Sequence, residues 1–486
     1  MARDTVPASS THEGPTREGE LVIERRGIEP VPPNGRYGRV SRIFTVWFAP
    51  QISPPPFFIG ALVAALGLSF WQGVFALVVA NILGTAPVAA LATWGPKTGM
   101  AQMPLSRLAF GKSIMVPGVL NWATTIGWQA FNNVFGATAL HLLFHVPFWI
   151  ALLLIFAGQA ILSIAGYEAV HMFEKWMTYV LGAVFVYLMI KIVTGAGTTA
   201  LPSTLKGGDL VGMMVLMIAI AGSYVYGWAP YAADYSRYLP ENTSKSAVFW
   251  NTFLGIGAAS LWMELLGLAV AGRVLAGGTL GTSATIRNLM GPTVLGWAGL
   301  LAIYLGTVAV NAVNDYTGSL SLQAAGVRLA RPVAAGLTGL ASFGLSLWFL
   351  YGSESLPNKA ENFLLFLVYW ISAWLGVVTV DWFRRKGRVN VAGISNFSRL
   401  PAGIPALVAF VLGFAASIPF SNTTAGYNFV VSHPGWRYLI GWFPANPLHQ
   451  ADLGFVVGFV VSAVVYAVLS RRETESEFAE MQTSLA

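Results

Sequence analysis

Trp128 and Asn132 lie four residues apart in the run Gly127-Trp128-Gln129-Ala130-Phe131-Asn132-Asn133, a spacing that puts both on one helical face. An indole beside an amide suits a flat heteroaromatic ligand: the ring stacks, and the amide hydrogen-bonds its edge. The bland alternative is a core tryptophan beside a helix-packing asparagine. A second run, Leu305 to Thr317, places Asn311, Asn314 and Asp315 on one face at spacings of three and four. Its apolar surroundings make such groups costly, which marks cavities, partners or proton paths. The alternative for Asp315 is a solvated position at the end of its helix. Trp228, in Gly227-Trp228-Ala229-Pro230, adds a second indole, and Gly227 allows close backbone approach there. Two tryptophans facing one cavity would hold a planar base between them, with Ser53 supplying a hydroxyl.

Other polar groups read differently. Glu264 lies within an apolar stretch and is either a proton relay or quietly paired. Glu168, His171 and Glu174 fall in a short connection, where solvation is the default. Asp234 and Arg237 follow the sixth apolar span and read as a structural pair or gate. His141 and His145 have the spacing of a metal pair, but no third ligand is near, so a zinc site is rejected. The chain has no cysteine, which excludes thiol catalysis and iron–sulfur clusters. It has no phosphate-binding glycine loop of the ATPase type.

The elements that must position these residues are membrane spans. Of 486 residues, 55% are hydrophobic and 10% charged, against roughly 25% charged in a soluble chain. Stretches of about 20 apolar residues, each enough to cross a bilayer core, recur at 42–68, 70–93, 114–140, 147–167, 175–196, 210–231, 247–272, 293–317, 332–351, 362–383, 402–420 and 452–470. The first is interrupted by Ser53-Pro54-Pro55-Pro56 and the sixth by Gly227-Trp228-Ala229-Pro230. Proline removes a backbone donor, and lipid cannot satisfy the freed groups, so such breaks survive only where buried in protein or lining a cavity. Breaks at matching places of two half-repeats point to a secondary transporter's binding site. The pattern predicts an all-α polytopic protein of about twelve transmembrane helices. Its core is a five-plus-five inverted repeat over 42–384, followed by two extra helices to 470.

Charge placement sets the orientation. The net charge is +7, and 22 of the 28 Lys and Arg fall in the N-terminal arm, alternate loops and the C-terminal tail. That asymmetry is what the positive-inside rule produces, so both termini are expected in the cytoplasm, with the protein in the plasma (inner) membrane. The basic balance is topology and not a nucleic-acid footprint. Residues 1–41 form an N-terminal arm, of which 1–35 lack apolar periodicity and are expected to be disordered. The segment 471–486 reads as a short charged cytoplasmic tail, and Gly95–Ser113 as a cytoplasmic amphipathic segment.

The chain resembles the nucleobase–cation symporter family, in its purine–cytosine permease branch. The resemblance is carried by Trp47-Phe48-Ala49, Arg107-Leu108-Ala109-Phe110-Gly111, Gly127-Trp128 with Asn132, Gly227 through Tyr235, and Asn311 through Tyr316. It implies an inverted-repeat fold, alternating access, and substrate positions at Trp128, Asn132, Trp228 and Asn311. Ser53 stands where the family often has Gln, which disfavours hydantoin-type ligands. In sodium-using relatives, first-span carbonyls corresponding to Ala49 and Ile52 pair with adjacent eighth-span hydroxyls. Here those positions hold Leu305 and Gly306, with only Thr307 nearby. The incomplete oxygen shell favours a proton as coupling ion, carried by Asp315, Glu264 or Glu174, and no cofactor is implied.

The leading expectation is therefore a proton-coupled importer of cytosine or purines. The alternatives are a same-fold symporter for another small heterocycle (allantoin, hydantoin or a vitamin precursor), sodium coupling, and a channel. No filter-forming repeat supports a channel, and no convincing nucleophile, base or metal cluster supports an enzyme.

Overall fold

Three consecutive prolines, Pro54, Pro55 and Pro56, open a helix instead of destroying one. In a computed structural model of the chain, which describes residues 27–470 except 166, 197–199, 292, 328, 330 and 387, the first span is two helices, Ser41–Gln51 and Pro54–Ala65. The missing proline N–H groups fall in the first turn of the second helix, where no intrahelical acceptor exists for them. Ser53 is the extended hinge between the halves, with φ −148° and ψ 165°. The sixth span breaks in the same way: Gly207–Tyr226 ends, Ala229–Tyr231 forms a tight turn opened by proline, and Ala232–Ser236 resumes the helix.

No strand occurs among the described residues. Among the same residues, seven of the twelve expected spans are helices long and apolar enough to cross a membrane unaided. The others are the broken first span, Met115–Phe144, Phe148–Ala165, Ile404–Ser417 and Gly454–Leu469. The eighth span runs Val294–Ala324, well beyond the expected end at 317. Asp315 is therefore deep in a helix, 1% exposed, and not at a solvated terminus.

The packing is internally symmetric. The second half of the first span lies along the seventh, and the sixth lies along the second. Exchanging each span n for n + 5 converts one pair into the other. The same exchange relates third–ninth to eighth–fourth, first–fifth to sixth–tenth, and fifth–eighth to tenth–third. The third and eighth spans, which exchange with each other, pack together along their length. The eleventh and twelfth pack on one another and on the tenth, outside this exchange pattern. Glycines permit the closest crossings: a Cβ on Gly60 would meet the Glu264 backbone oxygen at 1.8 Å, and one on Gly267 the Phe57 oxygen at 1.7 Å.

Two expectations need correction. Residues 27–41 pack against the body and are not part of a disordered arm. Val31 is buried and donates to Gly99 O, Arg36 donates to Val31 O and Pro96 O, and Arg237 to Gly27 O. The apolar signal is weak there because arginines, not a hydrophobic face, hold this stretch of chain in place. Gly95–Ser113 is not an amphipathic surface segment either. It is three short helices and a turn, largely buried, with Arg107 (1% exposed) donating to Ala324 O, Gln323 O and Ile394 O. Residues 1–26 and 471–486 lie outside the described part.

Candidate substrate site at the two helix breaks

The two breaks meet through aromatic rings. Trp47, one turn before the first break, contacts Trp228 edge-on at 5.6 Å between centroids, and Trp228 contacts Tyr231 at 5.2 Å. Tyr231 in turn donates its hydroxyl to Asn314 Oδ1 at 2.8 Å. Along this line the N–H donors Trp47 Nε1, Trp228 Nε1 and Asn314 Nδ2 are buried with no acceptor among the described residues. Buried donors without partners are rare and mark places that expect a ligand or water. Gln51 Nε2, at the end of the first half-helix, is a fourth.

Trp128 approaches from the third span. Its ring packs edge-on against Tyr224 at 5.5 Å and Phe363 at 5.0 Å. A Cβ at Gly227 would sit 2.8 Å from Trp128 Cζ2, which is why glycine stands beside Trp228. The two tryptophans thus adjoin the same break. They do not form a parallel pair around an open slot: Trp128 is wedged between the sixth and tenth spans, 6% exposed, in a closed arrangement. The Ser53 hydroxyl donates to Pro50 O at 2.8 Å, and Tyr224 interacts with it. Its proton caps the first half-helix, so the Ser53 hydroxyl offers a ligand its lone pairs and not its proton. Trp128→Ala removes the largest ring face here and is expected to weaken substrate binding about 5–150-fold, the equivalent of a stacking loss of about 1–3 kcal/mol. Unchanged apparent affinity in normally expressed protein would place the ligand elsewhere.

Asn132 and Asn311 are joined directly, Asn132 Nδ2 donating to Asn311 Oδ1 at 3.1 Å. Asn311 donates to Asn133 Oδ1 at 2.7 Å and Gln159 Oε1 at 2.9 Å. Asp315 accepts from Gln129 Nε2 at 2.6 Å. Sequence reasoning missed Gln129, Asn133 and Gln159, although the first two stand in the run singled out. An amide at Gln159 within the apolar fourth span was the available signal. Trp47 and Tyr231 were noted only as part of a resemblance.

The other expected ion positions are dispersed. Glu264 Oε2 accepts from Asn81 Nδ2, and both residues are buried. Thr307 donates its hydroxyl to Ile303 O at 2.9 Å and faces Gly136 on the third span. The Ala49 carbonyl accepts from Ile52 N at 3.1 Å. The Glu174, Glu168 and His171 side chains lie outside the described part. Asp234 accepts from Gln102 N at 2.9 Å and Thr317 Oγ1 at 2.6 Å, tying the sixth span to the loop after the second and to the eighth span. His141 is held by Val146 O, and among the described residues no group of three or more His, Asp or Glu could hold a metal.

Comparison with known proteins bears on the family and the fold. The chain is 31% identical over 478 residues to the purine-cytosine permease fcyB of Emericella nidulans, covering 93% of this chain and 89% of that one. It is 27% identical to the putative purine-cytosine permease YxlA of Bacillus subtilis, over 93% and 96% of the two chains. The solved structure of Mhp1, a nucleobase-cation-symport-1 family transporter in a closed conformation with bromovinylhydantoin bound, superposes with a TM-score of 0.72. It covers 94% of this chain and 97% of Mhp1 at 16% identity, so the two share the fold. Residues 30–443 match the family described as permease for cytosine/purines, uracil, thiamine, allantoin, and the chain therefore belongs to the nucleobase–cation symporter family, in its purine–cytosine permease branch: a membrane transporter and not an enzyme.

Proposed function

We propose that this transporter imports a nucleobase, cytosine or a purine, by symport with a proton through alternating access, from a plasma-membrane position with both termini cytoplasmic. The observation that carries the reading is the convergence of Trp128, Trp228, Asn132, Asn311 and Asn314 at two broken helices, with unpartnered Trp228 and Asn314 N–H groups. A nucleobase matches that set: a π-face for the indoles and ring acceptors for the orphan donors. The named activities of the purine-cytosine relatives support the same substrate class.

Two buried carboxyls support a proton as the coupling ion. Asp315 is hydrogen-bonded by neutral glutamines and Glu264 by a neutral asparagine, so each can take up and release a proton without breaking an ion pair. Asp315 is the better placed, because its partners lead to Asn311. Leu305 and Gly306, the two residues before Thr307, offer no side-chain oxygen to a sodium shell.

The test is uptake of labelled cytosine, hypoxanthine, uracil and allantoin in vesicles, with pH and sodium gradients imposed separately. Accumulation of cytosine or hypoxanthine driven by pH alone is expected. Accumulation driven only by sodium would overturn the coupling assignment, and accumulation of allantoin alone would overturn the substrate.

A further inference from the structure

The amides that link the site to Asp315 all point the same way. Asn132 Nδ2 donates to Asn311 Oδ1, Asn311 Nδ2 to Gln159 Oε1, and Gln159 Nε2 to Gln129 Oε1 at 2.9 Å. Gln129 Nε2 then donates to Asp315 Oδ1, and Gln159 Nε2 lies 3.5 Å from Asp315 Oδ2. The order follows from chemistry. An ionised carboxyl only accepts, so Gln129 must turn its N–H toward it; each following amide, having one oxygen and one NH2, must then orient likewise. Asn132 Oδ1 is left as the open acceptor at the end nearest Trp128. Gln159, 1% exposed, is the fourth span's contribution to the chain, and it joins Asn311 to Gln129 and Asp315 across the third and eighth spans.

We propose that Gln159 is a positioning residue that transmits the charge state of Asp315 to the amides reading the substrate edge. This rests on the nucleobase reading above. With Asp315 ionised, Asn132 presents its carbonyl and favours a ligand edge that donates N–H. A proton taken up on Asp315 supplies an O–H that donates to Gln129 Oε1 once that amide turns over. Gln159 and Asn311 follow, and Asn132 presents NH2 instead. Only one proton is gained by the protein, and no bond between heavy atoms changes. Buried amide chains favour such concerted states because a half-reversed chain sets donor against donor.

Among the described side chains, the ionisable groups on elements packed against the eighth span have other partners or are exposed. Arg42 of the first span lies over Tyr37, Arg287 is bonded to Asn288, and Lys175 of the fifth and Tyr351 of the ninth are exposed. Tyr231 and Asp234 of the sixth span are held by Asn314 and Thr317, and Arg237 by Tyr316. On the fifth span Lys191 lies over Tyr187, and Tyr179 is exposed; on the third, His141 is bonded to Val146 O. The described part of the fourth span carries no ionisable side chain. A side branch turns with the chain: Asn133 Oδ1 accepts from Asn311 Nδ2, and Asn133 Nδ2 donates to Ser346 Oγ at 2.9 Å. Asn133 must therefore reverse whenever Asn311 does, with the Ser346 hydroxyl turning to donate to it.

The test measures binding of cytosine and uracil to purified full-length protein between pH 5 and 8. These bases exchange donor and acceptor at adjacent edge positions. In the unsubstituted protein the cytosine-to-uracil affinity ratio is expected to change several-fold across this range. Gln159→Leu, and Gln159→Asn as the milder variant should Leu fail to fold, are expected to flatten the ratio to a pH-independent value. Thr138→Ala, at a buried hydroxyl of the third span that bonds Phe135 O and Ser283 Oγ and none of these amides, is expected to keep it. A pH-dependent ratio surviving in Gln159→Asn, or lost equally in Thr138→Ala, overturns the relay while leaving the nucleobase reading intact. A ratio independent of pH in the unsubstituted protein also overturns the relay alone. Binding of neither base, nor of a purine, overturns the substrate reading and the relay with it.

Discussion

Asp315→Asn is expected to abolish pH-driven accumulation of substrate while exchange of internal for external substrate persists. One pH unit stores about 1.4 kcal/mol per proton, so one-to-one symport down such a gradient concentrates substrate about tenfold. The substituted amide would hold no exchangeable charge, and the concentration ratio should fall to one. The substitution preserves shape and can still accept from Gln129, so the loss reads out coupling and not collapse of the network around Asp315. Full tenfold accumulation in Asp315→Asn, together with its loss in Glu264→Gln, would move the coupling proton to the Glu264–Asn81 pair.

Gly267→Ala is expected to give the largest loss of folded transporter. The added methyl would lie 1.7 Å from the Phe57 backbone oxygen, and a helix backbone cannot step aside as a side chain can. The seventh span and the second half of the first would have to part. Overpacking of this kind costs about 1–3 kcal/mol and more where backbone is the obstacle. Gly60 meets the Glu264 carbonyl on the same contact, so separation also strains the hydrogen bond from Asn81. A lower melting temperature in detergent and reduced yield of monodisperse protein would show it. At Gly182, where nothing lies within 4 Å of an added Cβ, alanine should leave both unchanged. Equal stability of the two variants would mean that the crossing relaxes freely.

Neither the obstacle at Gly267 nor the partners of Asp315 could be read locally, whereas much else could. The breaks in the first and sixth spans were readable because proline and glycine act on their own backbone, whatever surrounds them. The span pattern was readable because a bilayer demands about 20 apolar residues in sequence. Helical spacing alone grouped Trp128 with Asn132, and Asn311 with Asn314 and Asp315. The ends of elements were less secure: the eighth span continues to Ala324, which rules out the solvated helix end that was the alternative for Asp315.

Partner choice belonged to the three-dimensional packing. Ser53 has the composition of a ligand contact, yet its proton goes to Pro50 O, three residues away in its own hinge. Thr307 has the composition of an ion ligand, and its hydroxyl proton goes to Ile303 O in its own helix. Gln159 has neither signature and bridges Asn311 to Gln129. The membrane class, the spans, the two hinges and the faces carrying Trp128, Asn132 and Asn311 were all written in the chain, because each depends on residues close along it. Which polar groups are spent within their own helix, and which reach across, emerged with folding alone. That depends on the rotation and closeness of helices far apart in sequence, set here by glycine crossings such as Gly60 and Gly267.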